Sequence, residues 1–366
     1  MTTIQDVARH AAVSASTVSN VLNGRGDRMR ADTRARVDAA IEALQFRPNT
    51  LARHLKTGQT PLLGLLVPSM TNPIYGCIAR EVETFAQEQF GFRLLIGSTY
   101  RDPTKEAAFF DDLLAHGVRR VIVISSLAEE QHLESAVARG MAVMSYDRRA
   151  TRGRPSAVGH VAPDNGEAAR LATQHLIDYG HTRLAFATVA GMTMSRRDKI
   201  AGFFAAADAA GLRSTAQVLD GGPLNEYGDS VIAEVGRALG LQLAADRQRA
   251  TGVVALNDLM ALGLMAGLRE GGRRVPQDVS VVGIDGLFLS AMSNPLLTTV
   301  QLPVREMARV MVEQVMQLAA GVVATPCQQV FHQVQLIERE SVAPPPVSRT
   351  STAPKRARAK RVRAKP

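Results

Sequence analysis

The chain has 366 residues, 46% of them hydrophobic, and a formal net charge of +9 at pH 7. That apolar content excludes a disordered polymer, and the length suits a small N-terminal unit followed by a two-lobed domain. Cys77 and Cys327 form neither a disulfide framework nor a zinc spacing, the N-terminus has no basic-then-apolar leader, and no apolar run reaches membrane-spanning length. A reducing, cytoplasmic setting is therefore expected, without membrane contact. The charge sits at the ends: residues 1–60 carry +4, residues 349–366 carry +8, and the stretch between them about −3. A basic start and a basic tail around a slightly acidic body point to nucleic acid at the ends only.

From the N-terminus, Ile4, Val7, Ala8 and Ala11 recur at helical spacing, with Thr3 and Asp6 placed as a capping box. Ser14 suits the N-cap of a second helix, in which Val18, Val21 and Leu22 face inward while Ser16, Thr17, Ser19, Asn20 and Asn23 face out. Two short helices around a tight turn, the second presenting short hydrogen-bonding side chains, is what a DNA-reading helix-turn-helix needs. Asp32 is placed to cap a third helix whose Val37, Ile41 and Leu44 pack back on the first two. Arg47-Pro48-Asn49 ends that helix, because proline disfavours helical geometry in the residue before it. Residues 50–56 are helix-competent but too short to be stable alone, and Thr57-Gly58-Gln59-Thr60-Pro61 is a linker. From Leu62 short apolar strands alternate with amphipathic helices, with strands expected at residues 62–67, 93–97, 121–125, 142–146, 184–188, 252–256 and 279–284. Such alternation implies parallel sheets covered by helices on both faces. The expected division is a headpiece at 1–48, a hinge helix and linker at 49–60, a two-lobed domain at 61–342, and a disordered basic tail at 343–366 that begins Ala343-Pro344-Pro345-Pro346.

An ordered series of motifs spans nearly the whole chain. It opens with Val13-Ser14-Ala15-Ser16-Thr17-Val18-Ser19-Asn20-Val21-Leu22-Asn23 and Thr33-Arg34-Ala35-Arg36-Val37, and continues with Arg47-Pro48-Asn49-Thr50-Leu51-Ala52-Arg53-His54-Leu55-Lys56. Further on come Asn72-Pro73, Asp164-Asn165-Gly166, Gly180-His181, Asn257-Asp258, Val275-Pro276-Gln277-Asp278-Val279-Ser280, Gly283-Ile284-Asp285 and Arg339-Glu340-Ser341. In this series the chain resembles the lactose-repressor/purine-repressor (LacI-type) family of bacterial transcription factors. The resemblance implies an all-α helix-turn-helix headpiece joined to a two-lobed α/β effector domain of periplasmic-binding-protein type. It also implies a homodimer on double-stranded operator DNA, a small-molecule effector between the lobes, no cofactor and no metal.

Carried over by motif, the resemblance places Ala15, Ser16 and Asn20 at base-reading positions, Thr17 and Ser19 at phosphate contacts, and Thr3 and Asn23 beside them on the DNA face. Ala12 stands where many relatives have glycine, so the turn is expected to adjust locally. In the hinge, the resemblance implies that Leu55 wedges between base steps in the minor groove, with Arg53 and Lys56 supplying charge. In the effector domain, Asp285 closes the apolar run Val281-Val282-Gly283-Ile284 and is expected at a strand's C-terminal end, where α/β domains bind ligands. Asn72, Ile74 and Tyr75 follow the first strand, Asp147 and Arg148 the fourth, and Asn257 follows a later one, in equivalent places. Lys199 falls where relatives have a ligand-clamping arginine; it keeps the charge without the bidentate fork, and Arg197 is the expected substitute. His175 and His181 flank a helix end and are expected to be structural.

With no tryptophan, stacking on a ligand ring falls to Tyr75, Tyr100, Tyr146 or Phe288. Pro223 stands where purine-binding relatives have an aromatic, which argues against a nucleobase. Arg148, Arg197 and Lys199 favour a sugar acid or phosphosugar over a neutral sugar. Phosphate-loop, dinucleotide and nucleophile-elbow motifs are missing, so a sugar-modifying enzyme with a fused headpiece is disfavoured. A periplasmic solute-binding protein would have no use for residues 1–56, and a non-specific nucleoid protein no use for the cleft. A ligand-controlled repressor acting at the nucleoid is the expected function.

Overall fold

Where the apolar stripe of residues 4–11 meets that of 18–22, the first unit folds. The computed structural model describes residues 2–22, 29–46, 61–125, 127, 129–149, 156–191, 193–222, 231–246 and 249–346. The chain divides into two compact units between Thr60 and Pro61. In the first, helices α1 (Ile4–His10), α2 (Ala15–Leu22) and α3 (Ala31–Ala43) close around Val7, Val18 and Val37, none of which retains solvent exposure. Ile4, Val13, Val21, Leu22, Ile41 and Leu44 pack around them, as the helical spacing predicts. Asp32 does not cap α3: the helix begins two residues earlier than that cap would set, after Arg30, and Asp32 lies in its first turn, 3.9 Å from Arg36. There its charge faces the positive end of the helix dipole instead of an orphan N–H.

The second unit has two six-stranded sheets. Lobe one contains β1 (Leu62–Val67), β2 (Arg93–Ser98), β3 (Arg120–Ile124), β4 (Ala142–Tyr146), β5 (Gly159–Pro163) and β11 (Gln328–Phe331). Their order is β11-β5-β4-β3-β1-β2, parallel throughout. Helices α4 (Pro73–Phe90), α5 (Pro103–Ala115), α6 (Gln131–Ala138) and α11 (Val304–Ala319) belong to this lobe. Lobe two contains β6 (Leu184–Thr188), β7 (Ala216–Asp220), β8 (Gly252–Ala255), β9 (Ser280–Asp285), β10 (Thr298–Gln301) and β12 (Gln335–Ile337). Their order is β12-β10-β9-β8-β6-β7, parallel except for the β10–β12 pair. Helices α7 (Asn165–Asp178), α8 (Met194–Ala209), α9 (Ile232–Ala245) and α10 (Asp258–Glu270) cover it.

All seven expected strands form, with ends within one residue of the apolar runs. Among the described residues the chain passes between the lobes three times: from β5 to α7, from β10 to α11, and from β11 to β12. In lobe two, α9 and α10 meet backbone to backbone through Gly236, Gly240, Gly263 and Gly267. A Cβ at Gly263 would lie 1.9 Å from the Ala233 carbonyl oxygen, so only glycine fits this seam. The C-terminal segment docks on the same lobe. Ala343, assigned to the tail by its composition, donates its N–H to Ser280 Oγ at 3.0 Å, and its carbonyl lies 3.0 Å from His181 Nε2. His181 also faces Thr251 and Ser280 at 3.0 Å each, a buried structural network. No described helix is long and apolar enough to cross a membrane.

Candidate functional site

The first unit exposes one face of α2. Ala15, Ser16 and Asn20 are exposed there, Thr17 and Ser19 are half-buried, and Val18 behind them anchors the helix in the core. Ser14 caps α2, its hydroxyl accepting from the Thr17 N–H at 3.1 Å and lying 2.7 Å from Ser16 Oγ. Thr3 caps α1 in a complete capping box: its N–H donates to Asp6 Oδ2 at 2.9 Å, and the Asp6 N–H donates to Thr3 Oγ1 at 3.3 Å. These bonds from Thr3 hold the Asp6 carboxyl below its ordinary value. The turn does not adjust around Ala12; that residue takes a left-handed φ of 52° and bears the strain. Asn23, Arg53, Leu55 and Lys56, and with them the hinge, lie outside the described residues, as do residues 347–366 and Pro223.

In the second unit a cavity of about 60 Å³ lies between the lobes at the C-terminal ends of their strands. Four helix N-termini converge on it, bringing backbone N–H groups and cap side chains together. Asn72 caps α4, its Oδ1 accepting from the Ile74 N–H at 3.3 Å, and Ile74 and Tyr75 follow it into the wall. Asn165 opens α7, Thr193 caps α8, and Asn257 caps α10 by accepting from the Met260 N–H at 2.9 Å. Asp147 follows β4, Asp285 ends β9, and they supply the two carboxylates of the lining. Asn165 Nδ2 donates to Asp147 Oδ1 at 2.9 Å, a bond from one lobe to the other. Tyr146, buried beside them, has its hydroxyl pushed well above its ordinary pKa by burial first, then by the charges of Asp147 and Asp285.

Lys199 lines the cavity with its Nζ donating to the Leu256 carbonyl at 3.1 Å. Arg197 does not accompany it. On α8 residues 196 and 199 share a face, so Arg196 lines the cavity while Arg197 is exposed to solvent. Arg148 is also displaced from its expected place. It is buried in lobe one, 2.9 Å from Glu130 Oε2 and bonded to the Leu127 carbonyl, and does not line the cavity. Asp147, held at a φ of 65°, points into the cleft and the next side chain turns back under the sheet. Tyr100 and Phe288 are exposed and do not line the cavity, which leaves Tyr75 and Tyr146 as its aromatics.

The spacing of residues did not reveal Arg101, Asn165, Thr193, Ser195 or Arg196, all of which line the cavity. Arg101 reaches it from a left-handed turn after β2, with φ 56°, and donates from Nη2 to Tyr75 Oη at 2.7 Å. Asp258, fully buried behind the site, accepts from the Leu287 N–H at 2.7 Å and from Thr299 Oγ1 at 2.5 Å. It thereby fixes the turn that carries Asp285; burial raises its own pKa to about 6. Among the described residues, three of the six non-glycine residues with positive φ, Arg101, Asp147 and Asp285, line the cavity, and such strain concentrates at binding sites. Between the lobes Arg149 of lobe one binds Asp198 of α8, with Nε 3.1 Å from Oδ2. Among the described residues no cluster of His, Cys, Asp and Glu is placed to hold a metal.

A helix-turn-helix unit ahead of a two-lobed sheet domain with an interlobe cavity defines a DNA-binding regulator with a ligand chamber. Residues 3–49 match the model for bacterial regulatory proteins of the lacI family, and residues 173–342 match the periplasmic binding protein-like domain. The chain is 31% identical over 345 residues to the HTH-type transcriptional regulator GalR of Escherichia coli (strain K12), covering 94% of this chain and 97% of GalR. It superposes on the lac repressor dimer bound to operator and the anti-inducer ONPF with a TM-score of 0.80 at 26% identity, over 93% of this chain and 99% of that one. A CelR–cellobiose complex matches with a TM-score of 0.66 at 27% identity, over 93% of this chain and 100% of that one. The chain belongs to the lacI family of bacterial regulatory proteins; it is a transcriptional regulator and not an enzyme.

Proposed function

We propose that this regulator is a repressor that binds its operator as a homodimer and changes its operator affinity when a sugar, sugar acid or phosphosugar enters the interlobe cavity. One observation carries the proposal: amide side chains, two carboxylates and four helix N-termini converge between two lobes, an arrangement suited to a polyhydroxylated ligand. CelR, by its bound cellobiose, supports a carbohydrate. The cavity's 60 Å³ is well below the roughly 300 Å³ at which ligand pockets usually begin, so the lobes part to admit ligand and close on it. Opening breaks the Asn165–Asp147 and Arg149–Asp198 contacts and turns the lobes about their three connections.

On the DNA side, Ala15, Ser16 and Asn20 read base edges, Thr17 and Ser19 contact phosphates, and Thr3 and Asn23 flank them. Leu55, Arg53 and Lys56 act in the minor groove. Ala15 and Ser16 are short, which suits a half-site unlike those read by relatives with larger residues there. A second copy pairs through the second unit, where edge strand β2 exposes Leu95 and Ile96 and the turn at 288–292 exposes Phe288 and Met292. The protein works in the cytoplasm on nucleoid DNA. Selection of duplexes from a random library by the full chain should enrich a pseudo-palindrome, and a bound carbohydrate should shift its affinity. Enrichment of no sequence, or an affinity indifferent to every ligand that the cavity binds, would refute the proposal.

A further inference from the structure

Lys199 is 8% exposed, and its ammonium spends one of three N–H donors, on the Leu256 carbonyl. Among the described residues no carboxylate lies within ion-pair distance of it. Asp258 feels its charge but commits its oxygens to Thr299 and the Leu287 N–H. A buried ammonium without a counter-charge is costly, and this one lines the ligand cavity. One turn earlier on α8, Arg196 is 6% exposed; its Nη1 is fixed by the Ala190 and Gly191 carbonyls at 3.1 and 2.6 Å. Thr193 and Ser195 add two hydroxyls at the same end of this 16-residue helix, where the dipole favours negative charge. Across the lining, Arg101, Arg196 and Lys199 face Asp147 and Asp285, an excess of one positive charge.

Resting on the reading of this cavity as the effector site, we propose that its ligand is a monoanionic polyhydroxy carboxylate, a sugar acid, held by its carboxylate at the N-terminal turn of α8 between Lys199 and Arg196. Its hydroxyls donate to Asp285 and Asp147 and bond to Asn72 and Asn257. A phosphate monoester, with a charge of about −1.5 to −2 at pH 7, exceeds the balance the lining offers. A neutral sugar leaves Lys199 uncompensated. Lys199 and Arg196 are thus the residues that set specificity for an acid over its parent sugar.

The test is calorimetric titration of the full-length protein with D-gluconate, D-galactonate, D-glucuronate and D-galacturonate, beside D-glucose, D-galactose and D-glucose 6-phosphate. At least one carboxylate should bind ten- to hundredfold more tightly than its neutral parent, the discrimination expected of a hydrogen-bonded charge. Lys199→Met should bring that acid to within about threefold of the parent. The wild-type comparison decides the matter even if the variant does not fold. A neutral sugar that binds as tightly as any acid, or a phosphate ester that binds best, overturns the proposal and leaves the cavity's role as a carbohydrate site intact. Absence of binding by every probe at millimolar concentration overturns both.

Discussion

Asp285 holds φ at 137°, in a region that L side chains rarely adopt, and it does so at the end of a fully buried strand. Such a residue stores about 1–3 kcal/mol of strain. Asp285→Gly releases that strain, while glycine's extra freedom in the unfolded chain costs about 0.5–1 kcal/mol. The net gain should lie between about 0 and 2.5 kcal/mol, which raises Tm by up to about 10 °C in a domain of this size. The same substitution deletes a carboxylate from the cavity wall, and losing a charged hydrogen bond to ligand should weaken effector binding ten- to hundredfold, about 1.5–3 kcal/mol. Asp285→Ala is the control: it loses the carboxylate but keeps a Cβ at the strained position, so it should lose the response without gaining stability. Calorimetric melts without ligand, together with operator binding titrated against the carbohydrate that binds wild type, measure both effects. Glycine and alanine variants that melt together would refute the strain argument. A wild-type response in either variant would remove Asp285 from the site.

Ala12→Gly should stabilise the N-terminal unit by about 0.5–1 kcal/mol, because Ala12 sits at a left-handed φ; hydrogen exchange of α1 and α2 amides reports it. Asn20→Ala should cost about 1–3 kcal/mol of discrimination at one base pair of each half-site, seen as relaxed preference in a repeat of the duplex selection. His160, buried within β5 beside Arg148, has its pKa lowered to about 4 by burial and by that positive charge. The fold therefore requires it neutral. Its contribution is full above about 6.5 and is lost as pH falls toward 4, a loss of up to about 3 kcal/mol that His160→Gln should remove from the pH–stability curve. Removing residues 349–366, which carry +8, should weaken binding to all duplexes alike and flatten the salt dependence without altering sequence preference.

Strands with both faces buried were legible because burial writes itself as an unbroken apolar run, as in Leu62–Val67 and Ala142–Tyr146. β11 and β12 were not, since these edge strands carry Gln328, Gln329 and Gln335 and owe their pairing to neighbours far away in sequence. β5 was hidden by Gly159, His160 and Pro163, whose burial depends on the sheet around them. In the cavity, Asp285 and Asn257 were legible because each closes an apolar run, residues 281–284 and 253–256. The choice between Arg196 and Arg197 was not, because it depends on the rotational phase of α8, which Thr193 sets by capping it. Arg101 reaches the cleft by a left-handed turn, and nothing in its neighbours' side-chain chemistry marks that turn.

The glycine seam between α9 and α10 has a bearing on how this regulator can diversify. With backbone against backbone at Gly236, Gly240, Gly263 and Gly267, there is no side-chain cushion to absorb a slide of one helix over the other. Lobe two is therefore an inflexible platter on which the strand-tip residues Asn257 and Asp285 are served at fixed places. With the cavity as the proposed effector site, new ligand preferences are expected from exchanging residues at those tips, one at a time, and not from remodelling the scaffold beneath. A mutational library confined to the cavity's rim should accordingly yield altered ligand profiles with undiminished yield of folded protein. One spread across the seam should yield mostly aggregates.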